Sequence, residues 1–327
     1  MSRKQVLVYR ALPAEQLDRI RQEHDVVVAD PRIADQEVAF LEALPQAQGL
    51  IGSSYSIDEA LLARAPRLEV VSSISVGVDK YQIDAFQRRA ITLCHTPGVL
   101  TETVADLLFA MMLATSRRIL ELGRYVQQGR WKRSVGEDMY GWDVHGKTLG
   151  ILGYGRIGQA LAQRAALGFN MPVLYHTRRP TSSGLPEGKA RAATLDELLR
   201  QSDFIVVVLP LTAQTEGMIG PNEFALMKPE AILINGARGP IVQETALLDA
   251  LDQGRLRAAG LDVFDVEPLP QDSPLRDHPK VLPLPHIGSA THETRLAMAT
   301  MAVDNLLLAL AGKAPLAAYD TATAGAA

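Results

Sequence analysis

Cysteine is nearly absent from this sequence of 327 residues, in which Cys94 stands alone. A single cysteine can form neither an internal disulfide nor a metal site built from several thiolates. Such sparing use of cysteine is typical of proteins in a reducing compartment. We therefore expect no metal centre and a cytoplasmic location.

The sequence also lacks a long apolar run and a strong net charge. No stretch approaches the roughly 18 apolar residues that span a bilayer, and the opening segment MSRKQVLVYRALP is too briefly apolar for a signal peptide. The formal net charge is −4, whereas nucleic acids and anionic membranes attract basic proteins. We expect neither as a partner. With 47% hydrophobic and 21% charged residues, the composition indicates a globular chain of one large or two ordinary domains.

The first hundred residues alternate short apolar strands with helical segments. Strand patterns occur in QVLVYR, DVVVA, GLIGS, LEVVSSISVGVD and AITLCHTP, and helical spacing in AEQLDRIRQEH and IDEALLARAP. Strands that alternate with helices predict a parallel sheet covered on both faces.

The pattern changes at Thr101. TETVADLLFAMMLATSRRILELGRYVQQG predicts one long amphipathic helix that Thr101 caps and a glycine ends. A second series of strands follows in KTLGILG, MPVLYH, DFIVVVLP, AILINGA, AAGLDVF and VLPLPHIG, before a last helix, THETRLAMATMAVDNLLLALAG. We expect two sheets, with the last helix returning to the first domain and crossings near Thr101 and Ser289. A cleft between domains is a common place for a ligand.

GYGRIG has the glycine spacing of a dinucleotide-binding turn. It follows the strand TLGIL and opens a helix, the context that gives this otherwise weak pattern its meaning. Gly153 permits the tight turn, Gly155 lets the backbone approach a pyrophosphate, and Gly158 lets helix and strand pack closely. Arg156 and Ile157 lie between them, at a helix N-terminus that attracts phosphate. An ordinary glycine turn is the alternative.

The next strand ends in VLYHTRRP, about where NAD enzymes place an acidic residue for the ribose hydroxyls. His176 takes that place, followed by Thr177, Arg178 and Arg179. An arginine fork binds a 2′-phosphate, which a carboxylate would repel. The stretch therefore predicts NADP(H) as the preferred cofactor, with NAD(H) possible, unless the arginines are merely a solvated turn.

Ionisable residues follow three later strands. Arg238 stands in ILINGARGP, Asp262, Asp265 and Glu267 in AAGLDVFDVEPLP, and His286 in VLPLPHIGS. Strand ends line the ligand crevice of a doubly wound sheet. An arginine to hold a carboxylate, a histidine to donate a proton and Glu267 to stabilise its charge suit reduction of a 2-keto acid. Each residue alone is more often structural; the hypothesis depends on their joint appearance.

Four segments resemble motifs of the D-isomer-specific 2-hydroxyacid dehydrogenase family: GILGYGRIGQALAQRA, INGARGPIVQETALLDAL, AAGLDVFDVEPLP and PHIGSATHET. SISVGVDKYQIDAF, HTPGVLTETVADLL and HIGSATHETR are most similar to its bacterial glyoxylate/hydroxypyruvate reductases, also called 2-ketogluconate reductases. The resemblance implies two Rossmann- or flavodoxin-like doubly wound α/β domains. The dinucleotide-binding domain, 101–289, would be inserted into a substrate domain, 1–100 plus 290–327.

The resemblance also implies roles around the reacting atoms. Arg238 would bind the substrate carboxylate and carbonyl, and His286, paired with Glu267, would act as general acid and base. Asp262 would contact the nicotinamide carboxamide, and Thr103 would lie near the nicotinamide. The substrate would be 2-ketogluconate or its 6-phosphate, hydroxypyruvate or glyoxylate.

In the other domain, the backbone at Val76 and Gly77 would hold the substrate carboxylate, and the loop GSSYS, with Ser53, would help to shape the pocket. Family members are usually homodimers joined through the region that corresponds to residues 101–145. Its aromatic loop WKRSVGEDMYGWDVHG could be an interface arm or a plain surface loop.

Two departures and two alternatives stand beside this interpretation. NGARG differs from the usual family residues before the arginine but keeps Arg238 in register. Some relatives carry glutamine at the position of Glu267 and oxidise formate, and the glutamate argues against that activity.

A phosphoglycerate dehydrogenase would often have an extra C-terminal domain and an acidic residue after the second strand. A dinucleotide-sensing binding protein would tolerate loss of Arg238, Glu267 or His286, all of which are present.

Overall fold

Two parallel sheets organise the chain in the computed structural model, which describes residues 2–178 and 182–320. The chain divides into two units, one of Met1–Leu100 with Ala290–Ala327 and one of Thr101–Ser289. The expected fold class, α/β with doubly wound parallel sheets, is confirmed. Within the described ranges, no helix is long and apolar enough to cross a bilayer.

The first unit contains a five-stranded sheet of order β2-β1-β3-β4-β5. Its central strands, β3 and β4, are buried along their whole length, because helices cover both faces of a parallel sheet. The strands are β1 (Gln5–Val8), β2 (Asp25–Val28), β3 (Gly49–Gly52), β4 (Val70–Ser73) and β5 (Thr92–Cys94), and the helices between them are α1 (Ala14–Glu23), α2 (Glu37–Ala43), α3 (Glu59–Ala63) and α4 (Ile83–Arg88).

The second unit contains a seven-stranded sheet of order β12-β11-β10-β9-β6-β7-β8. The order reverses between β6 and β9, which makes the carboxyl ends of these strands the expected ligand crevice. The strands are β6 (Leu149–Leu152), β7 (Val173–His176), β8 (Ala190–Ala192), β9 (Phe204–Val207), β10 (Ile232–Asn235), β11 (Ala258–Leu261) and β12 (Val281–Pro283). The helices are α5 (Thr101–Ser116), α6 (Ile119–Gln127), α7 (Arg156–Gln163), α8 (Leu195–Gln201), α9 (Pro221–Leu226) and α10 (Glu244–Asp252).

The last helix, α11 (His292–Leu310), packs on the sheet of the first unit. Ser72 Oγ donates to Ala302 O at 2.7 Å, and Lys4 Nζ donates to Leu310 O at 2.8 Å. Because Lys4 precedes β1, the end of α11 lies near the start of the strands, and its first turn lies toward their carboxyl ends.

The prediction of one long helix from Thr101 to Gly129 was wrong. Arg118 has a left-handed backbone, φ 53°, between α5 and α6. The carbonyl of Ser116 accepts a hydrogen bond from Trp142 N at 3.0 Å, and a Cβ on Gly141 would lie 2.6 Å from that oxygen. The segment around Trp142 thus ends α5 by a tertiary contact. The sequence pattern also failed to indicate β8, a short and largely exposed edge strand.

Candidate active site

The loop after β10 holds Arg238 through a buried asparagine. Asn235 is 1% exposed. Its Oδ1 accepts from Ala237 N at 3.1 Å, and its Nδ2 donates to Arg238 O at 3.0 Å. The guanidinium of Arg238 is half-buried, and its Nη1 donates to Ala237 O at 2.7 Å. The sequence interpretation assigned Asn235 no role, although an asparagine at a strand end is a familiar turn signal.

The loops after β10 and β11 touch directly. A Cβ on Gly239 would lie 1.9 Å from the carbonyl carbon of Phe264, so only glycine fits there. This contact brings the loop of Arg238 against the loop of Glu267. Arg238 is near enough that its charge helps to lower the pKa of Glu267.

Glu267 joins its own loop to His286. Its Oε1 accepts from Phe264 N at 3.1 Å, and its Oε2 lies 2.7 Å from His286 Nδ1. Burial raises the pKa of Glu267, but the hydrogen bond and charge of His286, with smaller contributions from Phe264 N and Arg238, outweigh burial, so its pKa is lowered overall. Because an ionised carboxylate only accepts, Nδ1 carries a proton, and Nε2 is the nitrogen left for proton transfer.

His286 itself has a left-handed backbone, φ 52°, which is uncommon outside glycine and asparagine. The amides that follow it, Ile287 N and Gly288 N, donate to the two carboxylate oxygens of Asp262, each at 2.8 Å. Burial raises the pKa of Asp262 despite these bonds. Asp262 was expected at the nicotinamide; in the structure both of its oxygens hold the turn that carries His286.

Of two further predicted residues, Thr103 lies beside this turn and Asp265 does not. A Cβ on Gly288 would lie 3.6 Å from Val104 Cγ2, so the first turn of α5, which includes Thr103, lies beside the loop of His286. Asp265 is engaged elsewhere: its backbone N donates to Glu244 Oε1 at 2.9 Å. Burial and the charge of Glu244 raise the pKa of Asp265 to about 6.

The glycine turn after β6 has the shape of a phosphate cradle. Gly153 has φ 102°, and a Cβ there would lie 2.7 Å from Val208 O, at the end of β9. A Cβ on Gly158 would lie 2.2 Å from Gly153 O, whereas a Cβ on Gly155 would meet no atom of the described residues within 4 Å. Arg156 and Ile157 open α7, whose N-terminus is capped by no side chain in the described part of the protein. These residues fit a dinucleotide pyrophosphate.

At the end of β7, the structure describes Arg178 of the two predicted arginines. His176 is tied to the protein through Nδ1, 3.1 Å from Ala193 O, and Thr177 is half-buried. Arg178 is exposed, and its Nη1 donates to Gln214 Oε1 at 3.3 Å. Arg179 lies outside the described residues.

Tyr154, inside the glycine turn, was not anticipated. Its ring stacks on Tyr175 with centroids 3.8 Å apart, and its hydroxyl donates to Ser183 O at 2.9 Å. Burial raises the pKa of Tyr154 to about 12, so the phenol stays protonated and able to donate.

In the first unit, the loop after β4 offers backbone amides. Val76 O lies 3.1 Å from His95 Nδ1, and Gly77 O accepts from Ser75 Oγ at 2.8 Å. Within residues 2–178 and 182–320, the N–H groups of Val76 and Gly77 have no protein acceptor. Adjacent free amides form an anion-binding concavity. Ser53, after β3, is buried at 8% exposure.

Residues 109–288 match the profile of the D-isomer specific 2-hydroxyacid dehydrogenase, NAD binding domain. The chain is 52% identical over 307 residues to the glyoxylate/hydroxypyruvate reductase B of Yersinia enterocolitica, and the match covers 94% of each chain.

The chain belongs to the D-isomer specific 2-hydroxyacid dehydrogenases.

Solved structures agree with this membership. A protein of Thermus thermophilus has a TM-score of 0.88 at 43% identity, covering 96% of this chain and 99% of its own. The NADPH-dependent glyoxylate/hydroxypyruvate reductase of Sinorhizobium meliloti, solved with NADP and malonate, has a TM-score of 0.86 at 32% identity and covers 98% of each chain. As a 2-hydroxyacid dehydrogenase, this chain is a nicotinamide-dependent oxidoreductase that acts on CH–OH groups.

Proposed function

We propose that this 2-hydroxyacid dehydrogenase is an NADPH-preferring reductase of 2-keto acids, with glyoxylate, hydroxypyruvate, 2-ketogluconate and its 6-phosphate as candidate substrates. The observation that carries the proposal is the 2.7 Å bond between Glu267 and His286, beside Arg238. The names of the Yersinia and Sinorhizobium relatives support the choice of substrates.

Each of these side chains has a distinct task. Arg238 binds the substrate carboxylate and polarises the ketone through its guanidinium fork. His286 gives the proton on Nε2 to the ketone oxygen as negative charge develops there, which leaves the ring neutral, and Glu267 stabilises the imidazolium that carries this proton before the transfer. When bound, the reduced nicotinamide supplies the hydride. The free amides of Val76 and Gly77 bind the substrate carboxylate.

Two loops of the crevice bind the cofactor, one after β6 and one after β7, and the second determines the preference for NADPH. The turn from Gly153 to Gly158 and the N-terminus of α7 bind the pyrophosphate. Arg178, with Arg179, binds the 2′-phosphate of NADPH, and no carboxylate stands in the sequence at the end of β7 to favour NADH.

Initial rates with the four keto acids, each with NADPH and NADH, test this function. We expect turnover with NADPH well above that with NADH. The double variant Arg178→Ala, Arg179→Ala should lose most of that preference, whereas Arg200→Ala, which removes an exposed arginine of α8, should retain it. Dinucleotide binding without turnover of any acid would instead favour a sensing protein.

We also propose that the protein is a homodimer joined through α6 and the loop after it. Five large apolar side chains of this region are each more than half exposed: Ile119, Val126, Trp131, Val135 and Tyr140. Such a patch is typical of a subunit interface. Light scattering coupled to size-exclusion chromatography should give twice the mass of one chain. The variant Val135→Asp should lower that mass toward the mass of the monomer.

A further inference from the structure

Three arginines gather at the carboxyl ends of the strands in the first unit. Arg10 follows β1 and Arg32 follows β2, the neighbouring strand. Arg295 lies in the first turn of α11, the end of that helix that lies toward the carboxyl ends of the strands. Ligands of open α/β sheets bind along this edge.

The positive charge of this cluster is not balanced. Asp30 is engaged by Arg32, whose Nε donates to Asp30 Oδ1 at 2.8 Å and whose Nη2 contacts Oδ2. Arg10 and Arg295 are both exposed, and in the part of the chain that the structure describes neither has an ion-pair partner.

The arginines are near enough to act on one another. Burial and the positive charges of Arg32 and Arg295 lower the pKa of Arg10, and Asp30 offsets this only in part. Guanidinium groups that repel each other and lack a carboxylate are stabilised by a bound anion, which they hold through paired hydrogen bonds.

We propose that Arg10 and Arg295 form a subsite for the far end of a long substrate: the phosphate or carboxylate that ends a six-carbon 2-keto acid. This rests on the proposed function, in which Val76 and Gly77, after β4, hold the near carboxylate. Strands β4 and β1 are two positions apart in the sheet, about 10 Å. A two- or three-carbon acid cannot bridge that distance, whereas an extended six-carbon chain with an anionic end can.

The test is a substrate ratio. With NADPH, kcat/KM is measured for 2-ketogluconate 6-phosphate and for 2-ketoadipate, which end in a phosphate and a carboxylate, and each is divided by that for 2-ketogluconate, which ends in a neutral hydroxyl. We expect at least one ratio to fall about tenfold in Arg10→Gln and in Arg295→Gln, as for loss of a charged hydrogen bond. The ratio that falls identifies the anion.

The control is Arg67→Gln, which removes the same charge at the amino ends of the strands in the same sheet. There, Arg67 Nη1 donates to Gln46 Oε1 at 2.7 Å. It should leave both ratios unchanged, and thermal melting should show that all three variants are folded. Ratios in Arg10→Gln and Arg295→Gln equal to those of the wild type would overturn the subsite alone. If the wild type reduces none of these acids nor glyoxylate, the proposed function fails, and the subsite fails with it.

Discussion

The two sheets end in loops of different chemistry. At the carboxyl ends of β10, β11 and β12, three ionisable side chains meet: Arg238, Glu267 and His286. At the carboxyl end of β4, the loop of Val76 and Gly77 instead presents backbone amides that have no acceptor among the described residues.

The hydrogen bonds that hold the two loops in place differ as well. Charged groups hold the first: the Asp262 carboxylate accepts two amides, and the Glu267 carboxylate accepts Phe264 N. Hydroxyls hold the second: the buried Tyr81 donates to the buried Ser73 at 2.8 Å, and Ser73 Oγ lies 2.6 Å from Oγ of the half-buried Ser75. Proton transfer needs groups that titrate, whereas anchoring an anion needs only fixed donors. The comparison therefore predicts that loss of the proton donor His286 in the first group lowers kcat, whereas loss of a group that anchors the substrate anion, whether Arg238 or the second loop, raises KM.

His286→Asn should have the largest effect. Asparagine tolerates the left-handed backbone at this position, so the turn is preserved while the acid is lost. We expect kcat for glyoxylate to fall about 100- to 10,000-fold, with the dissociation constant for NADPH unchanged. Equal losses in turnover and in cofactor affinity would mean that His286 is structural.

Arg238→Lys comes next. A single ammonium cannot reproduce the two parallel bonds of a guanidinium, so KM for the keto acid should rise about tenfold or more. Steady-state kinetics with saturating NADPH measure this. An unchanged KM would remove Arg238 from the carboxylate site.

Ser75→Ala tests the second loop. It removes the donor to Gly77 O and interrupts the chain of hydroxyls. We expect KM for glyoxylate to rise about fivefold, as for one neutral hydrogen bond, with kcat nearly constant. Ser182→Ala, in an exposed loop of the other unit, is the control. A fall in kcat without a change in KM would break the division of labour between the loops.

Asp265→Asn should have the smallest effect, on stability. The pKa of Asp265 is raised to about 6, so the folded protein binds a proton more tightly than the unfolded chain does. This residue therefore costs stability progressively between about pH 4 and pH 6. The advantage of the variant in thermal midpoint should grow over that range and then level off, at about 1–3 °C. An advantage independent of pH would contradict the raised pKa.

The sequence predicted the features that depend on local pattern. The glycine turn, most of the strands and the residues at their ends follow from periodicity and from the rule that strand ends share one edge. Arg238, Glu267 and His286 were selected for that reason, and Arg238 and His286 indeed lie around Glu267.

What escaped prediction depends on partners distant in the chain. Trp142 ends α5 by bonding Ser116, and nothing within α5 announces that contact. Asp262 engages amides 25 and 26 residues away. Arg10, Arg32 and Arg295 come together only through the order of the strands and the return of α11.

The central claim is that the Glu267–His286 pair donates the proton. The most direct test is the pH dependence of kcat/KM for reduction of glyoxylate by NADPH in the wild type and in Glu267→Gln. An ordinary glutamate has a pKa of about 4. Because the pKa of Glu267 is lowered, its carboxylate should stay ionised below that pH, so the wild type keeps its Glu267–His286 pair in mild acid. Without the carboxylate, His286 loses its charged partner, so the variant should be slower, and it should lack the acid-side decline that protonation of Glu267 causes in the wild type. Superimposable profiles would contradict the account.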